Sequence, residues 1–229
     1  MRPRIERTLE SLPDVQALLY EPMGAPEAVD MVRMAKAPTM TTGRAALLGL
    51  MDRYLAALMD PFVSLLEIHK LMYFMQNQGE KLKLNYSKAQ YGPYAVNLRH
   101  VLSSIEGHYI QGYADAEDDP DKQIELTPGT ADWAMAFLDN HPDTRKRFDR
   151  VVDLVEGFET PFGMELLSTV HWVATCEGAA NLDQVVEKTR AWNSRKQMFQ
   201  PGQISIAWNV LCKKGWISGE EGVTNNTGN

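Results

Sequence analysis

The chain has 229 residues, with 23 Lys and Arg against 30 Asp and Glu, a net charge of −7 and 44% apolar side chains, enough to bury a core in one or two domains. The acidic balance argues against a general binder of free DNA or RNA, whose affinity rests on a local excess of cations, so no direct nucleic-acid ligand is expected. Cys176 and Cys212 form no disulfide framework and stand in no zinc-type spacing, the longest uncharged apolar run, Leu166 to Cys176, is far short of the roughly 20 residues that cross a bilayer, and the N-terminus shows no export signal; a cytoplasmic protein without membrane contact is expected.

Residues 2–11 read as a helix, and VQALLYE after Pro13 as a short strand. These two elements have no neighbours to pack against. Residues 1–22 are therefore read as the tail of a preceding domain, 23–41 as a linker, 42–217 as the main domain and 218–229 as a disordered polar tail. From a Thr41 or Thr42 cap, Leu47, Met51, Tyr54 and Leu58 mark a helix closed by Pro61. A second helix over 62–79 carries the stripe Leu65, Ile68, Met72 and Met75, widened by Leu71 and Phe74, and should lie centrally. His69 sits among these apolar residues and reads as a hydrogen-bonded structural imidazole.

KLKLNYSK, residues 81–88, alternates like a half-buried strand. YGPY then suggests a turn, with Pro93 starting a helix whose apolar face is Tyr94, Leu98, Val101 and Ile105 and whose stop is Gly107. YIQGY and QIELT are short strands that, with residues 82–88, would make a three-stranded antiparallel sheet. Helices follow at 129–140, 143–157, 163–177, 181–191 and 203–214, and WIS after Gly215 suggests a short strand, as at the end of a winged-helix unit. The fold class is mainly α with a small antiparallel β-sheet (α+β).

The negative charge is concentrated. Between residues 114 and 127, Asp115, Glu117, Asp118, Asp119, Asp121 and Glu125 face only Lys122. In an extended chain, Asp115, Glu117, Asp119 and Asp121 share one side at intervals of roughly 6–7 Å, a ladder resembling the phosphates of a short single strand, with Asp118 in support. Tyr86, Tyr91, Tyr94, His108, Tyr109 and Tyr113 would stand where bases stack, or simply pack the core and sheet. The alternative for the acidic run is a solvated loop.

Catalytic motifs are missing. The five histidines make no HExxH or other ligand pair, so no metal is expected. His171 and Cys176 lie on different sides of a helix, and there is no GxxxxGK[ST], GxGxxG or GxSxG. No catalytic residue, no cofactor and no enzyme activity are expected from these residues.

LLEIHKLMYFMQNQGEKLKLNYSKAQYGPYAVNLRHVLSSIEGHYIQGY, EGFETPFGMELLSTVHWV and WNSRKQMFQPGQISIAWNVLCKKGWI, three separated strings spanning about residues 62–217, resemble the C-terminal domain of DarG antitoxins. DarG-like proteins join an N-terminal macrodomain that removes ADP-ribose from DNA to a C-terminal domain that inhibits DarT, an ADP-ribosyltransferase that uses NAD+ to modify thymidine in single-stranded DNA. The resemblance implies that residues 1–22 are the closing helix and strand of a macrodomain whose body is absent. It also implies an antitoxin domain, monomeric alone and one-to-one with a DarT-type toxin, whose acidic loop occupies the toxin's DNA groove by mimicry. The toxin-binding residues would be Asp115, Glu117, Asp118, Asp119, Asp121, Tyr91, Tyr94, His108 and Tyr113. Two other readings stay open: a winged-helix or Panacea-like module that binds operator DNA or a protease adaptor through Lys213 and Lys214, and a residual ADP-ribosyl hydrolase.

Overall fold

A computed structural model of the chain describes residues 37–58, 62–113 and 119–219. The chain divides into two compact units between Lys36 and Ala37. The helix expected at 2–11, the strand after Pro13 and the polar tail from 220 onward lie outside the described residues, as do Asp115, Glu117 and Asp118.

The second unit runs α1 (Thr42–Leu58), β1 (Val63–Ser64), α2 (Leu65–Asn77), β2 (Tyr86–Ala89), β3 (Gly92–Ala95), α3 (Leu98–Ile105), β4 (Ile110–Gln111), β5 (Gln123–Leu126), α4 (Thr130–Asp139), α5 (Pro142–Val155), α6 (Pro161–Cys176), α7 (Leu182–Ala191), a 3₁₀ turn (Ser194–Met198) and α8 (Pro201–Lys213). It is mainly helical with small antiparallel sheets, the α+β class expected. Helix α2 is the centre: every residue from Leu65 to Met75 is buried, and it packs against α1, α5, α6 and β3. Its start is a capping box. The Glu67 amide donates to Ser64 Oγ at 3.3 Å, and the Ser64 amide to Glu67 Oε2 at 2.8 Å. The Tyr54 hydroxyl donates to the other Glu67 oxygen, which ties α1 to the same cap and leaves neither buried oxygen unsatisfied.

Strands β4 and β5 pair as expected, Ile110 opposite Leu126. Their third strand is β1, with Val63 opposite Ile124, and not the segment 82–88. That segment is extended only from Tyr86. Leu84 directs its amide and carbonyl to the Gln76 side chain, both at 2.8 Å, and Lys83 takes a φ of 57°, so a side chain on α2 satisfies backbone that a neighbouring strand would otherwise pair. Residues 86–89 instead form a hairpin with 92–95, Tyr86 opposite Ala95 and Ala89 opposite Gly92. The turn expected at YGPY falls at Gln90–Tyr91, and Gly92, Pro93 and Tyr94 belong to strand β3, so Tyr94 lies on a strand and not on α3. Pro93 suits either element because its fixed φ fits an edge strand as well as a first helical turn.

The expected strand at Trp216–Ser218 is also absent. Gly215, at φ 68°, closes α8 with bonds from its own amide to the Cys212 carbonyl and from the Trp216 amide to the Leu211 carbonyl, at 2.9 and 2.8 Å, a Schellman ending. Trp216 folds back edge-on to Phe74. Among the described residues no strand follows α8 to make a wing.

Gly112 closes β4 at φ 96°, where an added Cβ would stand 2.5 Å from the Gln123 carbonyl oxygen. Both the conformation and the contact exclude a side chain. Gly112→Ala is expected to cost about 2 kcal/mol or more, read as a lower urea midpoint at an unchanged slope; an unshifted midpoint would show that the β4–β5 junction tolerates a different backbone.

Candidate functional site

His69 and Lys70 are consecutive on α2, and both are buried, at 3% and 1% exposure. A helix otherwise so apolar keeps them because the β2–β3 hairpin lies across it. The Lys70 ammonium donates to the Pro93 carbonyl at 2.7 Å, the Tyr94 ring stacks on His69 at 4.2 Å between centroids, and the Tyr86 hydroxyl donates to the His69 carbonyl at 3.1 Å. Gly92 allows the close approach, since a Cβ there would meet Thr169 Oγ1 at 2.9 Å. The hairpin tip is held from the other side: Trp192 Nε1 donates to the Ala89 carbonyl at 2.8 Å and Asn193 Nδ2 to the Gln90 carbonyl at 3.0 Å.

Between hairpin and helix lies a cavity of about 60 Å³, walled by Leu65, Leu66, Ala89 and Pro120, by Tyr91 and Tyr94, and by His69 and Lys70. Beside it sits a buried ion cluster. Glu165 on α6, 1% exposed, receives Lys196 at 2.5 Å and the Arg195 guanidinium at 3.1 Å. That guanidinium lies 4.6 Å from the centre of the Tyr91 ring, so the cluster fixes one wall of the cavity.

Burial sets the protonation of the site. It pulls Lys70 down to about 7, with Lys196 adding to the effect, and pulls Lys196 down to about 8 against the opposing pull of Glu165. His69 is lowered to about 3 by burial first and by Lys70 second, so its ring is neutral at physiological pH. Its Nδ1 is buried with no hydrogen-bond partner, and the ring is stacked on Tyr94. Such an unmet polar atom costs roughly 1–3 kcal/mol.

The candidates named from the sequence separate. Tyr91 and Tyr94 meet in this cavity. Asp119 and Asp121 lie next to it, but not as a ladder. The Asp121 amide donates to Asp119 Oδ1 at 3.0 Å and the Lys122 amide to the Asp119 carbonyl at 3.2 Å, so residues 119–122 form a tight turn whose Pro120 and Lys122 carbonyls accept the first two amides of α2. The extended register fails there because the turn caps a helix. His108 is elsewhere, its carbonyl accepting from Thr127 Oγ1 at 3.0 Å, and Tyr113 is buried with its amide on Glu106. Lys214 pairs with Asp153 at 2.9 Å. His171 pairs with the Tyr73 hydroxyl at 2.8 Å. Lys70, Glu165 and Lys196 escaped the sequence reading. The signal was there, since Glu67, His69 and Lys70 interrupt the apolar run of α2.

The cavity has aromatic and aliphatic walls, with His69 and Lys70 in its lining. It does not present a free pair of carboxylates: Glu67 is spent on the α2 cap, Glu165 on its two cations, and Glu80 on Thr144 and Arg147 at 3.0 and 2.9 Å. Among the described residues no three His, Cys, Asp or Glu side chains gather as a metal site, and no helix is long and apolar enough to cross a membrane.

No family model matches the chain. Over 221 residues it is 42% identical to a protein of Thermus aquaticus named DNA ADP-ribosyl glycohydrolase, with 96% of this chain and 60% of that protein aligned. It is 35% identical over 217 residues to proteins of the same name from Mycobacterium bovis and Mycobacterium tuberculosis, covering 89% of this chain and 61% of each relative. The chain therefore spans about 60% of the length of these relatives. Their name overturns three expectations at once: a separate antitoxin fragment of the DarG type, inhibition of a toxin by DNA mimicry, and the lack of enzyme activity. The stretch that carried the resemblance aligns with proteins named for removing ADP-ribose from DNA.

Proposed function

We propose that this chain acts in the removal of ADP-ribose from DNA, by hydrolysis of the bond that joins them. The observation that carries the reading is the 42% identity over 96% of the chain to a protein named for that activity. The buried carboxylates Glu67, Glu80 and Glu165 are held in ion pairs and caps, so they do not supply the acid and base pair on which glycoside hydrolysis commonly relies. Cys176 and Cys212 are both free thiols, in keeping with a cytoplasmic setting.

The test is direct. An ADP-ribosylated single-stranded oligonucleotide incubated with the purified chain is expected to release free ADP-ribose, measured by chromatography, in proportion to the amount of protein. No release above the protein-free control, with protein in excess over substrate, would overturn the reading.

A further inference from the structure

We infer that Lys70 is a site of reversible carboxylation: its side-chain amine, on the wall of the small cavity between α2 and the β2–β3 hairpin, combines with carbon dioxide to form a carbamate. The inference concerns a modification of the chain itself and stands apart from the glycohydrolase reading.

Size and polarity come first. A water molecule takes roughly 10–15 Å³ of such a space, so about 60 Å³ admits a carboxyl group of three heavy atoms and excludes a sugar or a base. Leu65, Leu66, Ala89 and Pro120 make much of the wall, surroundings that an uncharged, apolar gas enters at little cost and an ion does not.

The amine is the second point. Lys70 is buried and donates to the Pro93 carbonyl at 2.7 Å. A carbamate nitrogen keeps one N–H, so that bond survives the modification. Burial lowers the ammonium to about 7, and near pH 8 most of Lys70 is therefore the free amine that carries a lone pair. An exposed lysine, at the ordinary value of about 10.4, offers less than about 1% of itself in that form.

Charge is the third. Glu165 on α6 and Lys196 on the 3₁₀ turn both act on Lys70, Arg195 holds the same carboxylate at 3.1 Å, and the exposed Asp121 acts on Arg195 from the adjoining turn. His69, the neighbour on α2, is neutral. Glu165 thus meets two cations before Lys70 is counted. An ammonium at Lys70 adds a further like charge, whereas a carbamate adds the anion that offsets the second cation.

The step is balanced without an oxidant or reductant. The Nζ lone pair forms a bond to the carbon of carbon dioxide, one C=O π pair moves onto oxygen, and the nitrogen releases one proton to solvent. Reprotonation of the nitrogen breaks the same bond.

The experiment equilibrates the full chain with carbon-13 carbon dioxide at one fixed pressure, at pH 8 and at pH 6. Carbon-13 NMR follows the carbamate, and O-alkylation with a trialkyloxonium salt traps it for peptide mass mapping. A saturable adduct on Lys70 is expected at pH 8, at least about tenfold above that on the exposed Lys83 and Lys146 and at least about tenfold lower at pH 6. Lys70→Met removes the assigned resonance, with the fold checked by circular dichroism. Ala89→Leu keeps the amine, fills the cavity from the hairpin side and is expected to lower the yield at Lys70 about tenfold, which carries the test where Lys70→Met does not fold. No adduct on Lys70 at saturating carbon dioxide, a yield equal to that of the exposed lysines, or a yield unmoved by Ala89→Leu overturns the inference.

Discussion

Glu165→Ala is expected to destabilise the protein by about 3–5 kcal/mol, the usual consequence of stripping one partner from a buried ion pair. Lys196 has no exposure and lies 2.5 Å from Glu165; without the carboxylate, its ammonium stands between the Trp192 and Phe199 rings with nothing to offset its charge. Arg195 suffers less, because its side chain is 40% exposed and can turn to water. Two comparisons isolate the charge. The double variant Glu165→Met with Lys196→Met removes both buried ions and should recover much of the loss, since apolar replacements of similar volume often match a buried pair. Raising the pH should also relieve the single variant more than the wild type, because burial already lowers Lys196 to about 8 and a lone buried amine is eased by losing its proton. Urea unfolding of the three proteins decides the matter: a loss under about 1 kcal/mol for Glu165→Ala, or no recovery in the double variant, would show that the cluster is not a stability element. Arg195 would also leave the Tyr91 ring, so the cavity wall should loosen in step with stability.

Much of the fold could be read from periodicity and stop signals. Helix α2 was legible from Leu65, Ile68, Met72 and Met75, and α8 from Gly215. Strands β4 and β5 were legible because YIQ and QIEL alternate beside turn formers. Failure came where a side chain did the work of a strand. Leu82, Leu84 and Tyr86 alternate, yet Gln76, on another element, takes both backbone groups of Leu84, and no local pattern announces that. Strand β1 is two residues long and runs directly into α2, so its residues read as the start of that helix. The cavity was half legible: Tyr91 and Tyr94 were singled out for their rings, but that Pro120 and the Leu65–Leu66 pair share their space depends on a turn capping α2 from far along the chain. The acidic run misled for a related reason. Its charges are conspicuous in sequence, while at Asp119–Lys122 the backbone carbonyls are what touch the domain.

Acidification is the second large effect. Burial lowers His69 to about 3 and His171 to about 4, whereas in the unfolded chain both titrate near the ordinary value of about 6.5. Between those limits the unfolded state binds more protons than the native state, so stability falls as the pH falls. The loss begins near pH 6.5, is complete for His171 below about 4 and for His69 below about 3. At roughly 1.4 kcal/mol per unit, each histidine contributes an effect of the order of 3–5 kcal/mol, and a domain of ordinary stability, about 5–15 kcal/mol, has little left near pH 4. The surroundings explain the shifts: His171 is hydrogen-bonded with the Tyr73 hydroxyl and sits edge-on to Phe74 and Trp216, while His69 faces Tyr94 and lies beside the Lys70 cation. Lys70 and Lys196, lowered to about 7 and 8, have the same sign and extend the rise of stability above neutrality, until the buried Tyr54, Tyr73 and Tyr86, all raised by burial, reverse it once unfolded tyrosines ionise above about pH 10. Thermal melts from pH 4 to 10 are therefore expected to trace a dome displaced to the alkaline side. His171→Phe and His69→Phe should each flatten its acidic limb, and a limb equally steep in both variants would mean that protonation elsewhere unfolds the chain.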